Sequence, residues 1–213
     1  MHTLSIKEAL SFGWEKTKKH FWFLVAVMVG TFAVSLLVNF GAGNERLGFP
    51  LGLIAFLVSV AIGVAVEIGR LRITLKILDD VRGGIEDFLP NWDMFRKMLV
   101  TSVLQGLIVL AGLILLIVPG IIWGLRYYFA TYFVVDKGLA PREALRASAK
   151  MMEGNKWRFF LFNIVVAGVI LLGVIVLGIG LLWAIPTVMI ATAHIYRKLS
   201  EKGQKELPLG ETK

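Results

Sequence analysis

The chain has 213 residues, of which 57% are hydrophobic and 18% charged, with a formal net charge of +8. A soluble domain carries about 25% charged residues, and here the apolar residues gather in uninterrupted runs, which excludes an ordinary water-soluble globule and points to lipid as the solvent. The cations punctuate those runs instead of clustering on a soluble face, so no nucleic-acid partner is expected, and the absence of cysteine excludes disulfides, thiolate catalysis and cysteine-ligated zinc.

In chain order, Ser5-Ile6-Lys7-Glu8 reads as a capping box opening a first amphipathic helix, with Ile6, Ala9, Leu10, Gly13 and Trp14 on one face. Phe21 to Phe40 is free of charge and about 30 Å long as a helix, the thickness of the hydrocarbon core, and is read as a retained span and not a cleaved leader. A turn holding Glu45 and Arg46 leads to the second span, Leu51 to Gly69, with Glu67 near its end. Arg70 to Lys97 is rich in both charges and broken at Gly83-Gly84 and Pro90, and is read as a water-facing connection.

Met98 to Val118 is the third span. Pro119-Gly120 is read as a tight turn, and Ile121 to Val135 as the fourth span with Arg126 inside it. A second amphipathic helix follows, with Pro141 in its first turn, Gly154 past its end, an apolar side of Ala144, Leu145, Ser148, Met151 and Met152, and a basic stripe of Arg142, Arg146 and Lys150. No charge appears from Phe159 to Thr192, a stretch about 50 Å long as one helix, so it must fold back. Gly178-Ile179-Gly180 is the expected corner between a fifth span, Phe159 to Leu177, and a sixth, Leu181 to Tyr196, kinked or interrupted at Pro186.

The expected fold is therefore all-α: a polytopic transmembrane bundle of six spans in three hairpins, with interfacial amphipathic helices, forming one domain over residues 1–200 with a polar tail at 201–213. With both termini cytoplasmic, every lysine and arginine except Arg46 and Arg126 falls on the cytoplasmic side, as the positive-inside rule requires of an inner-membrane protein. Trp22, Trp92 and Trp157 then mark one interface, and Trp123 and Trp183 the other. Lys7-Glu8-Ala9-Leu10 matches Arg142-Glu143-Ala144-Leu145, and at the same offset Trp22 matches Trp157, the pattern of an internal duplication or of chance. Small residues four apart (Ala55, Ser59, Gly63; Ala61, Ala65, Gly69; Ser102, Gly106) are expected to be helix-packing faces.

Six residues are candidate contacts for a ligand or lipid headgroup. The stripe Arg142, Arg146 and Lys150 suits anionic headgroups, at about 1 kcal/mol per charge, or else a phosphate-bearing ligand or acidic protein partner. Arg126 would lie roughly 7–8 Å inside the membrane by helical rise, either snorkelling to the outer headgroups or pairing within the bundle. Glu67 and His194 suit a proton relay, or hydration and pairing near the inner interface. Asn39 and Asn163 suit hydrogen bonding near span ends.

No metalloprotease histidine pair, phosphate loop, nucleophile elbow or dinucleotide motif is present, and His2, His20 and His194 are not spaced as metal ligands, so neither enzymatic activity nor a cofactor is expected. Val118-Pro119-Gly120, Arg126-Tyr127, Ala144-Leu145, Ser148, Met151-Met152, Gly154-Asn155-Lys156-Trp157, Phe160, Trp183, Pro186 and Tyr196 together resemble an uncharacterised bacterial integral membrane protein family related to the membrane domain of some glycerophosphoryl diester phosphodiesterases. The resemblance implies a multi-helix protein of the cytoplasmic membrane and carries over no hydrolysis, for which the chain shows no additional soluble domain. The expected function is a scaffold, adaptor or lipid-organising membrane domain; the alternative is a small transporter or channel.

Overall fold

The computed structural model describes residues 5–42, 48–81, 83–175, 178 and 180–206. The Glu45–Arg46 turn, Leu177 and Ile179 of the last corner, the Asn39 side chain and the end of the polar tail lie outside the described residues. Helices run in the order α1 (Ile6–Lys19), α2 (Phe21–Ala42), α3 (Gly48–Leu78), a 3-10 turn (Ile85–Phe88), α4 (Trp92–Leu115), α5 (Ile117–Tyr127), α6 (Ala130–Lys137), α7 (Pro141–Met151), α8 (Lys156–Ile175) and α9 (Leu181–Glu206).

Among the described residues, four helices are long and apolar enough to cross a membrane: α2, α3, α4 and α8. No more than 22% of any of these stretches is buried within the protein. Their large apolar side chains, such as Phe32, Leu57, Leu107 and Leu172, face outward and need hydrocarbon around them. The remaining helices behave differently. α6, α7 and α9 pack with α1, the C-terminal part of α3, the N-terminal part of α4 and α8 around a core that includes Phe129, Tyr132, Met152, Phe159 and Tyr196.

Several sequence expectations change. α3 continues to Leu78 because nothing breaks it before Gly83-Gly84, and Leu71, Ile73, Thr74, Leu75 and Ile77 are buried, so the first part of the supposed water-facing connection is packed helix. The turn after α4 comes at Leu116, whose backbone is extended, and Pro119-Gly120 sits in the first turn of α5, where a missing N–H costs nothing. Gly120 then lies so close to α4 that a Cβ there would come within 2.5 Å of Leu113, while one on Gly112 would come within 2.8 Å of the Gly120 Cα. The expected fourth span is two short helices, α5 and α6, parted at Tyr128-Phe129. α9 passes through Pro186 without interruption and continues to Glu206 into the expected tail.

The small-residue faces also differ from expectation. Gly63 and Gly106 face open space, whereas Gly69 packs against the Phe88 ring. Close helix approach occurs instead at Gly173 against Gly180, beside the α8–α9 corner where Gly178 has φ +74°, and at Gly13, where a Cβ would meet the Thr187 carbonyl at 2.4 Å. Ser5 caps α1 as expected, its Oγ accepting the Glu8 N–H at 3.3 Å, but the helix buries Ala9, Gly13 and Thr17 along α9. Small side chains let the two backbones close. Trp183 is not remote from Trp22: it stacks on neighbouring Phe21, with ring centroids 4.1 Å apart.

Ion pairs tie the polar ends of these helices together. Asp80, just past α3, accepts from Lys16 at 2.6 Å and Lys19 at 2.7 Å, which hold its carboxyl down at about 2. Arg197 of α9 reaches Asp79 at 2.9 Å and Asp136, at the end of α6, at 3.3 Å. Asp136 also accepts the Tyr196 hydroxyl at 2.9 Å.

Candidate functional site

The basic stripe begins with how α7 forms. Pro141 supplies a preset φ at the first helical position, and the Glu143 carboxylate accepts the Ala140 N–H at 3.3 Å. Ala144, Leu145, Ser148 and Ala149 turn into the core, which leaves Arg142, Arg146 and Lys150 on the exposed side. The matched positions of α1 and α7 share an environment: Ala9 and Ala144 are both buried, and Trp22 and Trp157 both stand exposed in the first turn of the next helix.

Ser148 determines what α7 faces. Its hydroxyl donates to the Arg126 carbonyl at 3.0 Å and accepts the Phe129 N–H at 3.2 Å, so one fully buried side chain satisfies the end of α5 and the start of α6. This bridge brings Arg126 alongside the stripe. Arg126, Arg142, Arg146 and Lys150 line one open pocket of about 530 Å³, together with Tyr127, Glu153, Ile108 and Leu145. The expectation that Arg126 stands at the opposite end of the bundle from the stripe is thereby overturned, because the fourth span does not exist as a continuous helix.

Within the pocket four cations face one carboxylate. Arg126 Nη2 lies 3.9 Å from Glu153 Oε1, at the limit of an ion pair, and Arg126 Nε is buried with no acceptor among the described residues. The Arg126 guanidinium lies 5.8 Å from the Tyr127 ring centroid. An open concavity with excess positive charge and an unused guanidinium donor suits a phosphate or other oxyanion, which guanidinium groups bind through paired hydrogen bonds.

Glu67 and His194 do not join this group or each other. Glu67 pairs with Arg70 at 3.3 Å in a separate cavity that shares no lining residue with the basic pocket. His194 stacks on Phe12 of α1 at 4.1 Å. Asn163 donates to the Phe159 carbonyl at 2.7 Å, within its own helix. Sequence reasoning missed Glu153, although its position three residues after Lys150 places it beside the stripe on the same face. Among the described residues no His, Asp or Glu cluster could hold a metal ion.

Residues 105–203 match a protein family described as "Protein of unknown function (DUF975)". Over 103 residues, 48% of this chain, the sequence is 29% identical to an uncharacterized protein of Mycobacterium tuberculosis and, at the same identity and coverage, to one of Mycobacterium bovis. The match takes in 32% of those relatives, so the chain spans about a third of the length of the curated proteins it matches. No solved structure matches significantly. The matched region takes in the basic pocket, from Ile108 to Glu153.

Proposed function

We propose that this chain is a non-enzymatic, multi-pass protein of the cytoplasmic membrane, with both termini on the cytoplasmic side, that gathers anionic lipid through the pocket of Arg126, Arg142, Arg146 and Lys150. The observation carrying this reading is the convergence of four cations from two helices on one concavity, with Arg126 Nε unpaired. The apolar side chains of Leu107, Leu110, Ile121 and Ile122 lie exposed on the neighbouring α4 and α5. Acyl chains would lie along them while the phosphate occupies the pocket. From the phosphodiesterase membrane-domain resemblance the reading takes only the membrane setting.

The test is native mass spectrometry and thermal shift of the full chain in nanodiscs of phosphatidylglycerol against phosphatidylcholine, with inorganic phosphate as a separate arm. Retained phosphatidylglycerol, lost in R126Q/R146Q and weakened by salt, is the expected result. A shift with inorganic phosphate alone would make the site one for soluble oxyanions, and equal retention of both lipids would defeat the reading. A second reading, a small-solute transporter, is favoured by the polar cavity at Glu67, and is tested by proteoliposome flux of parent against Glu67→Gln.

A further inference from the structure

The Glu67 cavity is independent of the basic pocket and holds about 420 Å³, within the range of small-molecule sites. α3 contributes Glu67 and Arg70, one turn apart, and each side chain stays about 40% exposed although they pair at 3.3 Å. α4 brings Ser102 and Gln105, and the α5–α6 junction brings Tyr128 and Thr131. Ile170, Ile185 and Met189 close the other side.

The polar groups fall into two kinds. Thr74 and Thr192 bond back to their own helices, at 2.7 and 2.8 Å. Ser102, Gln105, Thr131 and the Tyr128 hydroxyl, by contrast, make no hydrogen bond to protein among the described residues, and all four stand on the cavity wall. Glu67, Ser102 and Gln105 belong to helices apolar enough to cross a membrane. Amide and hydroxyl groups without protein partners in that setting are costly unless something polar fills the space between them.

The charge arrangement says which kind of molecule fits. A simple anion drawn to Arg70 is opposed by Glu67, and a simple cation drawn to Glu67 is opposed by Arg70. Among charged solutes, one with both charges a few ångströms apart meets the two together, its amine on the carboxylate and its oxyanion on the guanidinium. The free hydroxyls and the Gln105 amide are then left to take its remaining donors and acceptors. We infer that the cavity between α3, α4, α6 and α9 is a binding site for a small zwitterion, such as an amino acid or the headgroup of a zwitterionic lipid.

The experiment uses the full chain in phosphatidylglycerol nanodiscs, which carry no zwitterion. Binding of glycine, β-alanine and γ-aminobutyrate, a series of increasing charge separation, is followed by saturation-transfer NMR beside acetate and methylammonium, the two charges taken singly. At least one zwitterion is expected to bind roughly tenfold or more tighter than either half, and Glu67→Gln and Arg70→Gln each to weaken it about tenfold, the scale of a lost charged hydrogen bond. Arg96→Gln, an exposed residue that lines neither pocket, leaves it unchanged. Thr131→Val and Gln105→Leu remove groups that no protein partner needs, so they weaken binding several-fold in a folded protein even where a charge variant does not fold.

A parallel arm adds phosphatidylethanolamine and reads its retention by native mass spectrometry. Retention that depends on Glu67, without binding of the free zwitterions, identifies the occupant as a headgroup. Halves that bind as well as the zwitterions, or folded Glu67→Gln, Thr131→Val and Gln105→Leu proteins that bind as the parent does in both arms, overturn the inference and leave a cavity filled with water.

Discussion

Ser148→Ala is the most demanding test of how the basic pocket is built. The substitution strips the Arg126 carbonyl and the Phe129 N–H of their shared partner at a site with no exposed surface. An unsatisfied buried polar group costs about 1–3 kcal/mol, while hydrogen bonds between membrane helices average only about 0.6 kcal/mol in double-mutant cycles, because alternatives are found. Here the two orphaned groups sit at a helix break beneath a fully buried side chain, so the expected loss follows the first of these figures and not the second, about 2–4 kcal/mol for the pair. The assay is reversible unfolding in mixed detergent followed by tryptophan fluorescence, with Ser102→Ala, which loses no protein hydrogen bond, as the control expected to stay within about 0.5 kcal/mol. Headgroup binding should fall with stability, since the bridge is what sets Arg126 beside α7. A Ser148→Ala protein as stable as Ser102→Ala would refute the argument.

Gly13→Ala should push α1 off α9, because its Cβ meets the Thr187 backbone carbonyl at 2.4 Å; a loss of about 1–3 kcal/mol in the same unfolding assay is expected, against a neutral or slightly stabilising Gly30→Ala, where the space is open. Asp80 is held down at about 2 in the folded chain, below the ordinary aspartate value of 3.8, because Lys16 and Lys19 hydrogen-bond to it. A depressed carboxylate contributes stability that is present above its unfolded value and lost as pH falls through the folded one. Hydrogen exchange in α1 should therefore quicken as pH drops from about 4 toward 2, relative to a pH-corrected reference peptide, and Asp80→Asn should flatten that response. The natural lack of cysteine allows single-cysteine labelling. Cysteines at Arg126 and Arg146 should label from one side of the membrane and one at Arg46 from the other, and labelling of Arg126 with Arg46 would restore the continuous fourth span.

The sequence disclosed what hydropathy can register. α2, the start of α3, α4 and α8 follow from unbroken apolar length, and the α8–α9 corner from a run too long for the bilayer with glycines at its middle, of which Gly178 has positive φ. The cap at Ser5 and the Pro141 start of α7 were equally plain, since both rest on local backbone chemistry. The failures lie where long-range packing overrides local pattern. An extended residue at Leu116, with no turn signal of its own, starts α5 before Pro119. The break at Tyr128-Phe129 carries no glycine or proline and exists because Ser148, some twenty residues on, supplies the missing partners.

The same blindness bears on the candidate site. Ile121–Val135 and Leu181–Tyr196 are apolar enough to pass for lipid-facing spans, yet Val134, Val135, Ile190 and Ile195 are buried within the protein. Hydropathy measures only that a segment avoids water, and a helix enclosed by other helices satisfies that as well as one enclosed by lipid. α6 and α9 pack inside the protein, and the break at Tyr128-Phe129 sets Arg126 beside α7. Arg126 becomes the fourth member of a cation group whose other three were legible as a stripe, and the pocket follows from a helix break that composition has no means of signalling.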